Sequence, residues 1–178
     1  MLTTELERLV EHLRALARPV VPLLLPGVTA DEVAAMIAGP VPDSVLVWFG
    51  WCNGVAGAPR QLQDDVNVIP GYNPLSVSEA VSIKSDYSSD PVLGRHWMPL
   101  LGSAGGDIYA AVWTPGQDAR IAGVLIGEPT EIEFASIEQM VSVFNECYQV
   151  GAFHVDGQGR LAMDSARYDQ VYEQITGQ

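Results

Sequence analysis

Apolar residues recur at the three-and-four spacing of a helix face in five places along this chain. Leu6, Leu9, Val10 and Leu13 form the first such stripe, with Thr4 and Glu7 as a capping box and Pro19 and Pro22 beyond its end. Thr29 with Glu32 repeats the box before Val33, Met36 and Ile37, and Gly39-Pro40 stops that helix. Val45, Trp48, Phe49 and Cys52 predict a third helix, with Asp43 as its cap and Asn53-Gly54 supplying its left-handed end. Ser136 with Gln139 opens a helix that turns Ile137, Met140, Val141, Phe144 and Tyr148 inward and ends at Gly151. A last helix starts near Asp164 and buries Tyr168, Val171, Tyr172 and Ile175.

The middle of the chain has a different rhythm. Residues 66–75 read as a short strand and turn, and Ser76 with Glu79 caps a short helix that runs to Lys84. A polar loop over 86–96 follows. Short apolar runs at 97–101, 107–113 and 120–128 predict strands, and 130–134 predicts a fourth. The segment between the second and third of these is rich in turn residues and reads as a hairpin connection; 156–160 is another turn. Helices come first, antiparallel strands lie in the middle, and helices close the chain. That order predicts an α+β fold, mainly an antiparallel sheet packed against flanking helices, and not alternating βαβ units. With 178 residues, 48% of them hydrophobic, residues 1–178 fit a single domain with a real core.

Charge changes the picture more than composition does. The formal net charge is −13, and the one lysine is Lys84. Phosphate backbones and anionic membranes recruit cations, so the charge argues against nucleic acid and membrane surfaces as partners and favours a basic protein. The opening residues include Glu5 and Glu7 where a secretory signal would carry a basic segment, and 20–28 is too short and proline-rich to span a bilayer. Cys52 and Cys147 have neither metal-ligand spacing nor a histidine cluster near them. These features lead us to expect a cytoplasmic protein with neither metal nor cofactor.

Candidate chemistry is sparse. Cys52 as nucleophile, His96 or His154 as base and Asp107 as orienting group would make an enzyme, but Cys52 falls on a buried stripe near a helix C-terminus, where the dipole disfavours a thiolate. The glycines of 102–107 precede a strand, with no lysine and with an aspartate that would repel phosphate, so a tight connection between strands is expected there. Carboxylates are the remaining candidates. Asp64-Asp65, Asp86 and Asp90 lie in loop sequence, and Glu131 and Glu133 alternate along a strand, so they project from one face. Their most direct use is docking to a cationic partner.

The order of Pro42, an aromatic helix closed by Asn53-Gly54, the segment 69–80, and then Trp97-x-Pro99 followed by Gly106-Asp107 and a strand resembles the SUKH superfamily. The resemblance covers about residues 29–148. The N-terminal helix and the segment after Gly151 extend beyond it, and 114–130 is not a close match. It implies an α+β fold with a curved sheet on helices. It also implies an immunity protein that neutralises a cognate secreted bacterial toxin, often a nuclease, by direct binding, or else a regulatory or scaffolding binder. The motif residues Pro42, Asn53, Gly54, Trp97, Pro99, Gly106 and Asp107 are expected to build the fold. Asp64, Asp65, Asp86, Asp90, Glu131 and Glu133 are the expected partner contacts.

Overall fold

The computed structural model describes residues 1–87 and 90–177. Ser88 and Ser89, in the predicted loop 86–96, lie outside the described residues. The chain runs through α1 (Leu2–Ala15), a 3-10 turn (Val21–Leu23), β1 (Leu24–Pro26), α2 (Ala30–Met36), α3 (Asp43–Trp51), β2 (Cys52–Val55), the one-turn helix α4 (Gln63–Val66), β3 (Tyr72–Pro74) and α5 (Val77–Asp86). There follow β4 (Trp97–Ser103), β5 (Ile108–Val112), β6 (Arg120–Val124), β7 (Glu131–Phe134), α6 (Ile137–Gln149), β8 (Phe153–Val155), β9 (Leu161–Met163) and α7 (Ser165–Thr176). The fold is α+β. An open antiparallel sheet has the order β3-β4-β5-β6-β7, and the pairs β1-β2 and β8-β9 stand apart from it.

α6 is the central helix. It packs against α1, α7 and the sheet, and so buries Val143, Asn145 and Cys147 as well as the predicted stripe. α1 starts at Leu2, and Thr4 makes no cap. Leu2 joins Leu6, Leu9 and Leu13 in the core, each such burial contributing roughly 1.5–3 kcal/mol, so packing sets this end of the helix. The boxes at Thr29/Glu32 and Ser76/Glu79 form as predicted.

The third helix differs from expectation at both ends. Pro42 is its N-cap residue, which moves Asp43 into the first turn. At the other end the chain leaves the helix at Trp51, and Cys52 and Asn53 are extended in β2, paired to β1 through Pro26 and Cys52. Gly54 is left-handed, at φ +84°, inside this strand. Asn53-Gly54 does not end α3. It docks β2 onto the start of α5: Asn53 Oδ1 accepts from the Val77 N–H at 2.9 Å, and a β-carbon on Gly54 would lie 2.9 Å from the Ser76 nitrogen.

β4, which carries Trp97 and Pro99, is an interior strand of the sheet. Its pairing with β3 begins only at Leu101, and a bulge toward β5 separates Pro99 from Leu101. Pro99 therefore lies where no partner needs the N–H that proline lacks. The tight connection over 102–107 forms: Gly106, at φ +97°, turns the chain from β4 to β5.

The sheet has two apolar faces. One carries the main core with α1, α3 and α6. The other carries Trp97, Ile108, Ala110, Val112, Ala122 and Val124, covered by the end of α5 and the segment around Leu93.

Candidate functional site

The second face of the sheet is only partly covered, and its uncovered end forms the site. α5 lays Ile83 and Tyr87 against this face, the Tyr87 ring meeting Trp97 edge-on at 5.6 Å. Beyond Tyr87 a groove of about 410 Å³ opens between α5 and the β4–β5 turn, with Ile83, Tyr87 and Ile108 as its floor. Its far lip is the turn after β6, where Ile126 is 68% exposed and Leu125 40%. The Asp107 carboxylate accepts from the Ile126 N–H at 2.9 Å and pins that lip to the β4–β5 turn. Asp107 thus serves as a fold-building residue, as expected of the motif. Gly106 brings this turn against the lip, 2.8 Å separating the place of a β-carbon from the exposed end of Ile126, and its φ of +97° is what calls for glycine.

The rim of this groove is acidic. Asp86, the last residue of α5, and Glu79 both line it. Lys84 does not offset them. Its ammonium donates to the Trp97 carbonyl at 2.9 Å and lies 5.6 Å over the Trp97 ring, and burial lowers its pKa. The single lysine is thus bonded to β4 at Trp97 and does not line the groove.

The six carboxylates expected to contact a partner are divided by the structure. Asp86 is exposed at the rim and makes no hydrogen bond among the described residues. Asp90 is used locally: it accepts from the Val92 and Leu93 N–H groups and from the Thr130 hydroxyl. Burial pushes its pKa up, but those three bonds outweigh it and hold the carboxyl below its ordinary value. Asp64 is bonded to Arg18 and to the Leu161 N–H, and Asp65 caps the Leu62 N–H of α4. Glu131 is exposed at the start of β7. Glu133 belongs to the other face of the sheet. Glu131, in register with Gly123 and Tyr109, shares that face, as the alternation of 131 and 133 predicts; a bulge in β7 then sets the pair Ala122–Ile132 next to Ile121–Phe134, so Ile132 and Phe134 serve opposite faces and the alternation breaks only after Glu133.

The cysteine, histidines and aspartate that would form an active site are spread over β2, the approach to β4, β8 and the start of β5, and among the described residues none hydrogen-bonds another. The Cys52 thiol donates to the Gly54 carbonyl, and burial pushes its pKa up to about 11. Both cysteines are free and buried. Among the described residues no group of three histidine, cysteine, aspartate or glutamate side chains is arranged to hold a metal ion. No described helix is long and apolar enough to cross a membrane.

Sequence reasoning missed the lip at Leu125 and Ile126, because those residues were read as the continuation of a strand. The signal was available in Gly127, whose positive φ of +90° marks the turn. No family model matches this chain, and no curated protein matches its sequence.

Proposed function

We propose that this protein is an immunity protein of the SUKH type, which acts in the cytoplasm and neutralises a cationic toxin domain by binding over it. The observation that carries the reading is the groove on the second sheet face: an apolar floor and a protruding Ile126, rimmed by Asp86 and Glu79, with the nearby lysine bonded to β4 at Trp97. Its occupant is a basic, partly apolar segment of the toxin, such as the wall of a nucleic-acid-binding cleft. Carboxylates at the rim steer and orient it, and Ile126 with the groove floor supplies the residence time. No reaction is involved; the toxin is blocked because its cleft is occupied. The placement of Asn53, Gly54, Gly106 and Asp107 supports the family assignment, since each fixes an element that builds the groove.

The test is a binding titration against the C-terminal domain of a toxin encoded beside this gene, at low and high salt. Asp86→Lys should slow association and reduce the salt dependence, whereas Ile126→Ser should speed dissociation. Both positions are exposed, so neither change should disturb folding. Binding that ignores both substitutions would overturn the groove. Absence of binding at either salt would instead favour a regulatory or scaffolding module.

A further inference from the structure

Glu133 lies on an edge strand, yet its side chain does not extend past the edge into solvent. The bulge in β7 turns it inward across β6. There its Oε1 occupies a point 2.0 Å from where a β-carbon on Gly123 would be, so only glycine at 123 leaves the carboxylate room.

Around that carboxylate stand four tyrosines from three elements. Tyr72 on β3 and Tyr109 on β5 meet with ring centroids 4.9 Å apart, and Tyr168 and Tyr172 on α7 stack at 6.0 Å. The Tyr172 hydroxyl donates to the Glu133 backbone carbonyl at 2.8 Å, which fixes one wall. Burial raises all four phenols, and the charge of Glu133 adds to the rise in each. The five residues are half-buried, and the carboxylate oxygens are not sealed from solvent. Yet the Glu133 carboxylate enters none of the ion pairs among the described residues and accepts no hydrogen bond from them. A carboxylate taken partly out of water with no cation beside it is costly to the free protein. Tyrosine faces next to a carboxylate are what a planar, weakly hydrated guanidinium stacks on and pairs with.

We propose that Glu133 and its four tyrosines form a recognition site for one arginine side chain of a protein partner. The guanidinium enters between the rings, stacks on tyrosine and pairs with Glu133. The site is on the sheet face opposite the groove and does not depend on it. It takes any partner with an exposed arginine of suitable reach, whether or not that partner is a toxin.

The test uses the whole chain and a minimal probe. The protein is titrated with N-acetyl-arginine amide, and in parallel with the citrulline analogue, which has the same shape without the charge, while backbone amide resonances are followed. Saturable shifts centred on Gly123, Tyr109 and Glu133 are expected with the arginine probe, with affinity about ten-fold or more above that for citrulline. Glu133→Gln should abolish the difference while leaving the rest of the spectrum unchanged. Equal response to both probes, or arginine shifts scattered over the acidic surface and missing Gly123, would overturn the site. Because the citrulline comparison uses the unaltered protein, the outcome does not depend on the variant folding. No toxin is present, so the groove and this site can fail separately.

Discussion

The guanidinium of Arg18 and the carboxylate of Asp64 meet at 2.6 Å, with the arginine side chain only 2% exposed. The same guanidinium donates to the Asp64 carbonyl and to the Gly159 carbonyl, and the second Asp64 oxygen accepts from the Leu161 N–H. One buried pair thus ties the segment after α1 to α4 and to the β8-β9 hairpin, three regions far apart in the chain.

Asp64 is therefore predicted to act on stability before it acts on any partner. Removing one member of a buried pair leaves the other charge uncompensated, at a cost of about 3–5 kcal/mol. Asp64→Ala should lose that much in urea unfolding. Asp65→Ala, which removes one cap from a one-turn helix, should lose only about 1 kcal/mol. An Asp64→Ala protein as stable as the parent would show that the pair contributes nothing net.

The Asn53-Gly54 junction gives the second prediction. Asn53→Ala removes the oxygen that accepts from Val77 and should cost about 1 kcal/mol, with Asn53→Asp restoring most of it. Gly54→Ala should cost more than Asn53→Ala, because it adds a left-handed conformation to a contact of 2.9 Å with the Ser76 nitrogen. Thermal unfolding of the three variants ranks them; Gly54→Ala milder than Asn53→Ala would be the wrong order.

The same dipeptide shows what could be read from the sequence. Its glycine is left-handed as the pattern implied, but local spacing cannot say that the chain has already left the helix to pair with β1, since that pairing joins residues about thirty apart. The capping boxes at Thr29 and Ser76, the strands β4 to β7 and the helices α6 and α7 were legible because each is set by neighbours within one or two turns. β1, β8 and β9 were not: each is three residues long and is held by a partner strand, not by its own pattern. At the site, the acidic character was legible. The division of labour among the acids was not, because nothing near Asp64 announces Arg18, and nothing near Glu133 announces Gly123.

The third prediction concerns the thiols. Burial pushes the Cys52 pKa up to about 11 and the Cys147 pKa up to about 12, so neither is a thiolate near neutral pH. Both should resist a disulfide reagent in the native protein and react together on unfolding, at a rate set by opening of the core. Fast native labelling of Cys52 would reopen its candidacy as a nucleophile.

Glu133 yields a prediction in which stability and recognition oppose each other. Burial, and then the charge of Glu131, raise its carboxyl above the ordinary value. A group whose folded pKa is raised stabilises the fold fully below its unfolded value and loses that contribution as pH rises through the folded value. Above that raised value the carboxylate is a net cost to the fold. The groups facing it are Glu131 and the phenols of Tyr72, Tyr109, Tyr168 and Tyr172; the phenols are shifted upward and stay neutral over this range. Glu133→Gln should therefore raise the melting temperature at pH 7, and its advantage should shrink as pH falls toward 4. Other groups, such as Asp90 and His12, titrate alike in both proteins, so the difference between them isolates residue 133. A glutamine variant less stable than the parent at pH 7 would mean that the carboxylate is a favourable part of the fold. A more stable variant that no longer discriminates arginine from citrulline would show the free protein holding an unpaired charge at a cost in stability, for a cation that arrives with the partner.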